Sequence, residues 1–120
     1  MYKVIGLLKR RAGMSPQDFR AYYESHHRVI GEKYLRDYAV RYLRRYLQGF
    51  ADPITGQVAE QEYDVLLEIW YRDQQAFEAA NRRFTEPEVS AEIAADEEKL
   101  FDRSASRFYT LQEVESDLSA

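Results

Sequence analysis

Apolar and polar residues change places along this chain with two different periods. Residues 2–9, YKVIGLLK, and 63–71, YDVLLEIWY, are dense β-branched and aromatic runs that read as strands. Residues 106–112, SRFYTLQ, read as a last strand. Segment 41–50, RYLRRYLQGF, fits both periods. Leu43, Tyr46, Leu47 and Phe50 have helical spacing, whereas Tyr42, Arg44 and Tyr46 alternate with Leu43, Arg45 and Leu47. We assign it to a strand, followed by a turn-rich loop, ADPITGQVAEQE. The helical signals are local ones. Ser15 suits an N-cap, Pro16 the first helical position, and Asp18 the first turn, where the helix dipole favours an acid. A helix is expected over residues 16–29 with Gly31 as its stop, and a short helical piece in EKYLRDY. Asp73 caps a second helix ending near Phe84, with Phe77, Ala80 and Phe84 on one face. Thr85 and Glu88 form the T-x-x-E pattern of a capping box, with Pro87 in the first turn, so a further helix is expected to about Phe101.

The order is strand, helix, strand, strand, helix pair, strand. That is the β-α-β-β-α-β plan of a ferredoxin-like α+β domain, an antiparallel sheet with helices on one face. A single domain over residues 1–115 is expected, with 116–120 a loose acidic tail. Helices on one side leave the other side of the sheet bare. Yet Val65, Leu67 and Ile69 alternate with Leu66 and Trp70, and Val4 and Leu8 with Ile5 and Leu7, so both faces carry apolar residues. A wet face would be polar. The chain has no spare element to cover it, and the expected cover is a second copy, a homodimer packed sheet to sheet.

Composition narrows the function classes. At 120 residues the chain can bury about two-thirds of its unfolded surface around one core. It has no cysteine, which excludes a disulfide framework, a thiolate nucleophile and a cysteine-bound metal. No apolar run approaches the roughly 20 residues of a spanning helix, so no membrane partner is expected. The first apolar stretch precedes its positive charges, the reverse of a secretory signal, and a cytoplasmic location is the expectation. The net charge is −4, and the basic clusters, Lys9–Arg11 and Arg41, Arg44 and Arg45, are local. A nucleic-acid reader carries a basic excess over a whole face, so no nucleic-acid partner is expected. Ten tyrosines suit a core, an interface or an aromatic pocket.

The candidate chemistry lies at the only two histidines, in YYESHHRVIG. Taking Phe19 as zero on an ideal helical wheel, His26 falls at about 340°, in the stripe of Phe19, Tyr23 and Ile30, and His27 at about 80°, on its shoulder. The phase drifts by this point, so either ring could face inward, and a shoulder position can look into a cleft between helix and sheet. Imidazole there can serve as a general acid or base, or can merely bind the last carbonyls of the helix. Adjacent histidines diverge by about 100° on a helix, which argues against a shared metal ion. In the later helix Asp96 falls within the apolar stripe of Val89, Ile93 and Leu100. A carboxylate there needs a partner: a histidine, a tyrosine hydroxyl, or an arginine such as Arg44 or Arg107. No G-x-S-x-G, phosphate-binding glycine loop or H-E-x-x-H occurs, so no cofactor or metal is expected.

The stretches VIGLLKRRAGMSPQDFRAYYESHH, RRYLQ, YDVLLEIWY and AADEEKLFDRSASRFYT together resemble the EthD-like family of dimeric α+β barrel proteins, over residues 1–115. Its F-x-x-Y-[WY]-x-x-x-H motif lands on Phe19, Tyr22, Tyr23 and His27. The resemblance therefore points to His27 rather than His26, which falls at a variable family position. A D-E-x-x-x-F-D stretch lands on Asp96, Glu97, Phe101 and Asp102. Where this chain has Tyr23 the family often has tryptophan. The resemblance implies a ferredoxin-like protomer that closes a barrel with a second one. For activity it implies a small cofactor-independent enzyme, oxidoreductase-associated or of dehydratase or isomerase type. His27 would act as acid and base and Asp96 would orient it. Tyr22, Tyr23, Tyr46 and Trp70 would meet a small aromatic or hydrophobic ligand. Two other readings stay open: a non-catalytic module that carries such a ligand to a partner oxygenase, and a haem-binding protein with His27 as axial ligand.

Overall fold

Strand β1 (Tyr2–Arg10) forms where every second residue, Val4, Gly6 and Leu8, turns inward. The computed structural model describes residues 1–119. After β1 a helical rod runs through α1 (Pro16–Tyr22), a π-helical turn (Tyr23–His27) and α2 (Arg28–Leu35). Strands β2 (Ala39–Tyr46) and β3 (Val65–Tyr71) follow, then helices α3 (Gln74–Phe84) and α4 (Pro87–Glu97), and strand β4 (Phe101–Thr110). The four strands form one antiparallel sheet in the order β2-β3-β1-β4, with β1 and β4, first and last in the chain, paired side by side. This is the ferredoxin-like α+β fold.

The expected caps hold in two of three places. Ser15 accepts from the Asp18 amide at 3.1 Å, and Asp73 from the Ala76 amide at 2.8 Å. The capping box is not formed. Glu86 is the N-cap residue of α4, its side chain does not cap, and the Thr85 hydroxyl instead donates to the Arg82 carbonyl. Pro87 still opens the helix, because it gives up no amide hydrogen that the first turn would use. Helix α4 ends at Glu97, and Phe101 already belongs to β4, so the strand starts five residues earlier than its polarity indicated.

Gly31 does not stop the first helix. It lies inside α2, where a Cβ would sit 2.9 Å from the Tyr42 ring and 3.1 Å from its hydroxyl. Its lack of a side chain admits Tyr42 against the helix. A bulge in β2 makes that contact possible. Ala39 pairs with Tyr71 and Arg41 with Trp70, so two steps on β2 oppose one on β3. The extra residue turns Tyr42, Arg44 and Tyr46 toward the helices and Arg41, Leu43 and Arg45 away.

The core lies between sheet and helices in two clusters. Leu8, Phe19, Tyr23, Val65, Leu67, Leu100 and Phe101 form one, and Val4, Leu35, Tyr71 and Ala80 the other. Each fully buried large side chain contributes about 1.5–3 kcal/mol. The other face of the sheet carries Ile5, Leu7, Leu43, Leu66 and Trp70 with Lys3, Arg41, Arg45 and Glu68 among them. The C-terminal residues 111–119 lack regular structure, although Glu113 pairs with Lys3 at 2.9 Å. Of the expected tail, Ala120 lies outside the described residues.

Candidate active site

The site begins with the π-helical turn. The Arg28 amide donates to the Tyr23 carbonyl five residues back, which widens the turn and lowers the rotation per residue. The ideal wheel is therefore wrong from Tyr23 onward. His27, not His26, comes round beneath Tyr23 on the buried face. His26 is exposed; it stacks on Tyr22 with ring centroids 4.5 Å apart, and its Nδ1 lies 2.8 Å from the Ser25 hydroxyl.

His27 meets Asp96. Its Nδ1 is 2.9 Å from Asp96 Oδ2, and Tyr22 donates its phenol proton to Asp96 Oδ1 at 2.5 Å. Asp96 is 7% exposed, so both carboxylate oxygens find the donors that burial requires. A carboxylate only accepts, so Nδ1 carries a proton and Nε2 of the neutral ring is left as the base. Tyr23 and Phe101 meet the imidazole edge to face, at centroid distances of 5.2 and 5.3 Å, and hold its plane. Nε2 makes no hydrogen bond among the described residues, yet no buried side-chain nitrogen or oxygen lacks a partner. Nε2 is therefore open, and the space beside it is a cavity.

That cavity, about 310 Å³, lies where the two core clusters meet. Its walls include His27, Ile30 and Gly31 of the first helical rod, Tyr42 and Ile69 of the sheet, and Ile93 of α4. Glu97, Arg103 and Phe108 reach it from the β4 side. Phe108 is 58% exposed and folds over Gly6, whose absent side chain leaves it room, so this side is the mouth. Opposite the step from Leu7 to Lys9 on β1, β4 steps from Arg107 to Asp102, and the excursion carries Arg103 toward the mouth. Burial raises the Glu97 carboxyl above its ordinary range, against the lowering pull of His27 and Arg103. Burial, and next its bond to Asp96, pushes the Tyr22 phenol up to about 12, so it keeps its proton at neutral pH.

The candidate residues divide. Tyr23 and His27 line the cavity, whereas Tyr22 and Asp96 stand behind the imidazole. Tyr46 does not line it; its hydroxyl donates to Glu24 at 2.5 Å. Trp70 is a correction: it lies on the opposite face of the sheet, bonded to Glu68 at 2.6 Å, with Lys3 and Arg41 over its ring. The arginines offered as partners of Asp96 are engaged elsewhere, Arg44 with Glu24 and Arg107 with backbone carbonyls. Tyr34, Tyr42, Glu97 and Arg103 are cavity residues that the wheel reading did not select. Glu97 could have been found from its place beside Asp96 in the D-E-x-x-x-F-D stretch. Among the described residues, no three histidine, aspartate or glutamate side chains converge as a metal site would need.

Comparison with known proteins agrees with this architecture. No curated protein sequence matches the chain. Among solved structures, At3g17210 from Arabidopsis thaliana superposes with a TM-score of 0.61 at 13% identity, covering 98% of this chain and 100% of that one. HapK from Hahella chejuensis superposes with a TM-score of 0.58 at 12% identity, covering 100% and 99%. An uncharacterized NIPSNAP domain protein from Burkholderia xenovorans reaches 0.50 at 16% identity, with 95% of each chain covered. At such identities the likeness is one of fold. The EthD domain model matches residues 11–104, a span that contains the π-helical turn, both helices of the second half, and the His27–Asp96 pair; the chain belongs to the EthD domain family.

Proposed function

We propose that the protein is a cofactor-independent enzyme that moves a proton on a small aromatic or hydrophobic substrate. The observation that carries this reading is the His27–Asp96 contact at 2.9 Å beside an apolar cavity. Asp96 holds the proton on Nδ1, so Nε2 faces the cavity as a base. When Nε2 takes a proton, the imidazolium is stabilised by the carboxylate behind it. Such a positioned base is worth roughly 10²–10⁴-fold in rate. Apolar walls exclude water and suit an aromatic ring, and Glu97 at the mouth is a carboxyl whose burial favours the protonated form.

The test is hydron exchange. 2-Indanone, a small enolisable aromatic ketone, is incubated with the protein in D2O, and loss of its α-proton signal is followed by NMR. Exchange above the buffer rate is expected, and His27→Gln should slow it roughly 10²–10⁴-fold. No exchange, or exchange untouched by the substitution, would overturn the reading and leave a binding module in its place.

The same reading places a second copy on the outer face of the sheet. The support is the apolar strip Ile5, Leu7, Leu43 and Leu66, half-buried on the sheet face that points away from the helices. Leu66→Glu should convert a dimer to a monomer in sedimentation analysis. A wild-type protein that sediments as a monomer would exclude the dimer.

A further inference from the structure

Five phenols surround the site, and four of their protons have a destination. Tyr22 donates to Asp96, Tyr34 to Glu92 and Tyr46 to Glu24. The hydroxyls of Tyr23 and Tyr42 lie 2.6 Å apart, so one donates to the other. Tyr23 is 0% exposed, and its hydroxyl has no other partner among the described residues. Were Tyr42 the donor, the Tyr23 proton would be buried with no acceptor, at a cost of about 1–3 kcal/mol. Tyr42, by contrast, is only half-buried, so Tyr23 is assigned as the donor, and the proton of Tyr42 has no acceptor among the described residues.

The Tyr42 oxygen sits among cavity residues. It touches Tyr23, and it approaches Gly31 so closely that a Cβ there would lie 3.1 Å away. Gly31 is one helical turn beyond His27 on the same face, a separation of about 5–6 Å. A carbonyl oxygen and its α-carbon fit between a donor and a base so spaced. We propose that Tyr42 is the oxyanion-binding residue of this site and that the substrate class is an enolisable aromatic carbonyl compound or its phenolic tautomer. The assignment rests on the acid–base reading of His27.

The chemistry balances. His27 Nε2 takes the proton from the carbon beside the carbonyl, and that C–H bond breaks. Its electron pair forms the C=C bond, and the carbonyl pair moves onto oxygen. The resulting enolate oxygen accepts from the Tyr42 hydroxyl, and His27 returns the proton to the same or a conjugated carbon. Tyr23, donating from behind, polarises the Tyr42 O–H bond, as does the Arg44 guanidinium 4.8 Å over its ring. Burial, partly offset by these two groups, raises the Tyr42 phenol to about 12, so it stays protonated and able to donate at neutral pH. Tyr23 is then a positioning residue.

Two probes test this by calorimetry. 4-Nitrophenolate presents an oxyanion on an aromatic ring, and 4-nitroanisole presents the same ring without one. Tyr42→Phe should weaken 4-nitrophenolate binding roughly 10- to 100-fold, the worth of a hydrogen bond to a charged group, and leave 4-nitroanisole within about twofold. Tyr23→Phe should weaken the anion by a smaller factor. Gly31→Ala, which keeps every hydroxyl but displaces Tyr42, should act in the same direction as Tyr42→Phe. Equal losses for both probes, no loss for either, or a wild-type protein that binds neither would overturn the assignment. Exchange of 2-indanone separates the two ideas. If His27→Gln abolishes it and Tyr42→Phe does not change it, Tyr42 has no such role and the base stands. If the wild type shows no exchange but Tyr42→Phe still loses the phenolate selectively, the base fails and the anion site stands.

Discussion

Two carboxylates near the first helical rod are held by similar partners and do different work. Glu24 accepts from the Tyr46 phenol and from two nitrogens of Arg44, at 2.8 and 2.9 Å. Asp96 accepts from the Tyr22 phenol and from His27. Each therefore hydrogen-bonds one phenol and one basic group, and Glu24 has a longer ion pair to Arg28 besides, at 3.8 Å. The difference lies in the basic group and in what it faces. Guanidinium keeps its charge at any ordinary pH and closes its fork on Glu24, so that cluster only ties the rod to β2. Imidazole can lose and regain a proton, and its second nitrogen looks into a cavity. A carboxylate paired with a fixed cation is a clamp; paired with a titratable one beside open space it can support proton transfer.

Breaking the pairs should separate the two roles. Asp96→Asn has the largest expected effect. An amide no longer enforces the Nδ1 proton, and 2-indanone exchange should fall roughly 10²–10⁴-fold, approaching the loss of the base itself, as loss of a tautomer-fixing aspartate does elsewhere. An unchanged rate would remove Asp96 from the mechanism. Glu24→Gln should instead cost stability, roughly 1–2 kcal/mol after allowance for its partial exposure, and lower the thermal midpoint by several degrees with exchange kept within a fewfold. Loss of activity in this folded variant would show that the clamp also shapes the site. The phenols sharpen the contrast at a smaller scale. Tyr22→Phe should move the pH profile of exchange, because Asp96 would lose a donor, whereas Tyr46→Phe should lower the melting temperature and leave that profile in place.

The smallest effect is in the acid titration of stability. The hydrogen bonds from Arg44 hold Glu24 below its ordinary range. The unfolded chain then binds the proton more readily, so the stabilisation from Glu24 is present above the unfolded pKa and lost as pH falls through the folded one. Glu97 has the opposite sign. Burial raises it, so its contribution is present in acid and lost as pH rises through the folded pKa. Melting curves across pH should therefore flatten at the acid end in Glu24→Gln. In Glu97→Gln the loss above the ordinary glutamate range should diminish. Identical slopes in the two variants would contradict these environments.

Much of the architecture could be read from the residues alone. Period-two apolar runs, Ser15, Asp73 and the strand-helix order specify local structure, because backbone preference and side-chain period act within a few residues. Asp96 was legible as an acid on an apolar face that must be paired, since the cost of burying charge holds wherever the partner comes from. The choice of histidine was not legible from periodicity. A single widened turn at Tyr23–His27 reverses which imidazole faces inward, and an ideal wheel has no means to show it. The bulge at Ala39–Arg41 likewise decides that Tyr42 faces the helices. Gly31 looked like a stop because a glycine's freedom is a local property, while its use here, admitting a ring from another element, is not. Sequence determined which elements form and which groups require partners. Only tertiary packing decided which partners they meet, because Tyr22, His27 and Asp96 converge from positions about 70 residues apart, where chain-local preferences exert no hold.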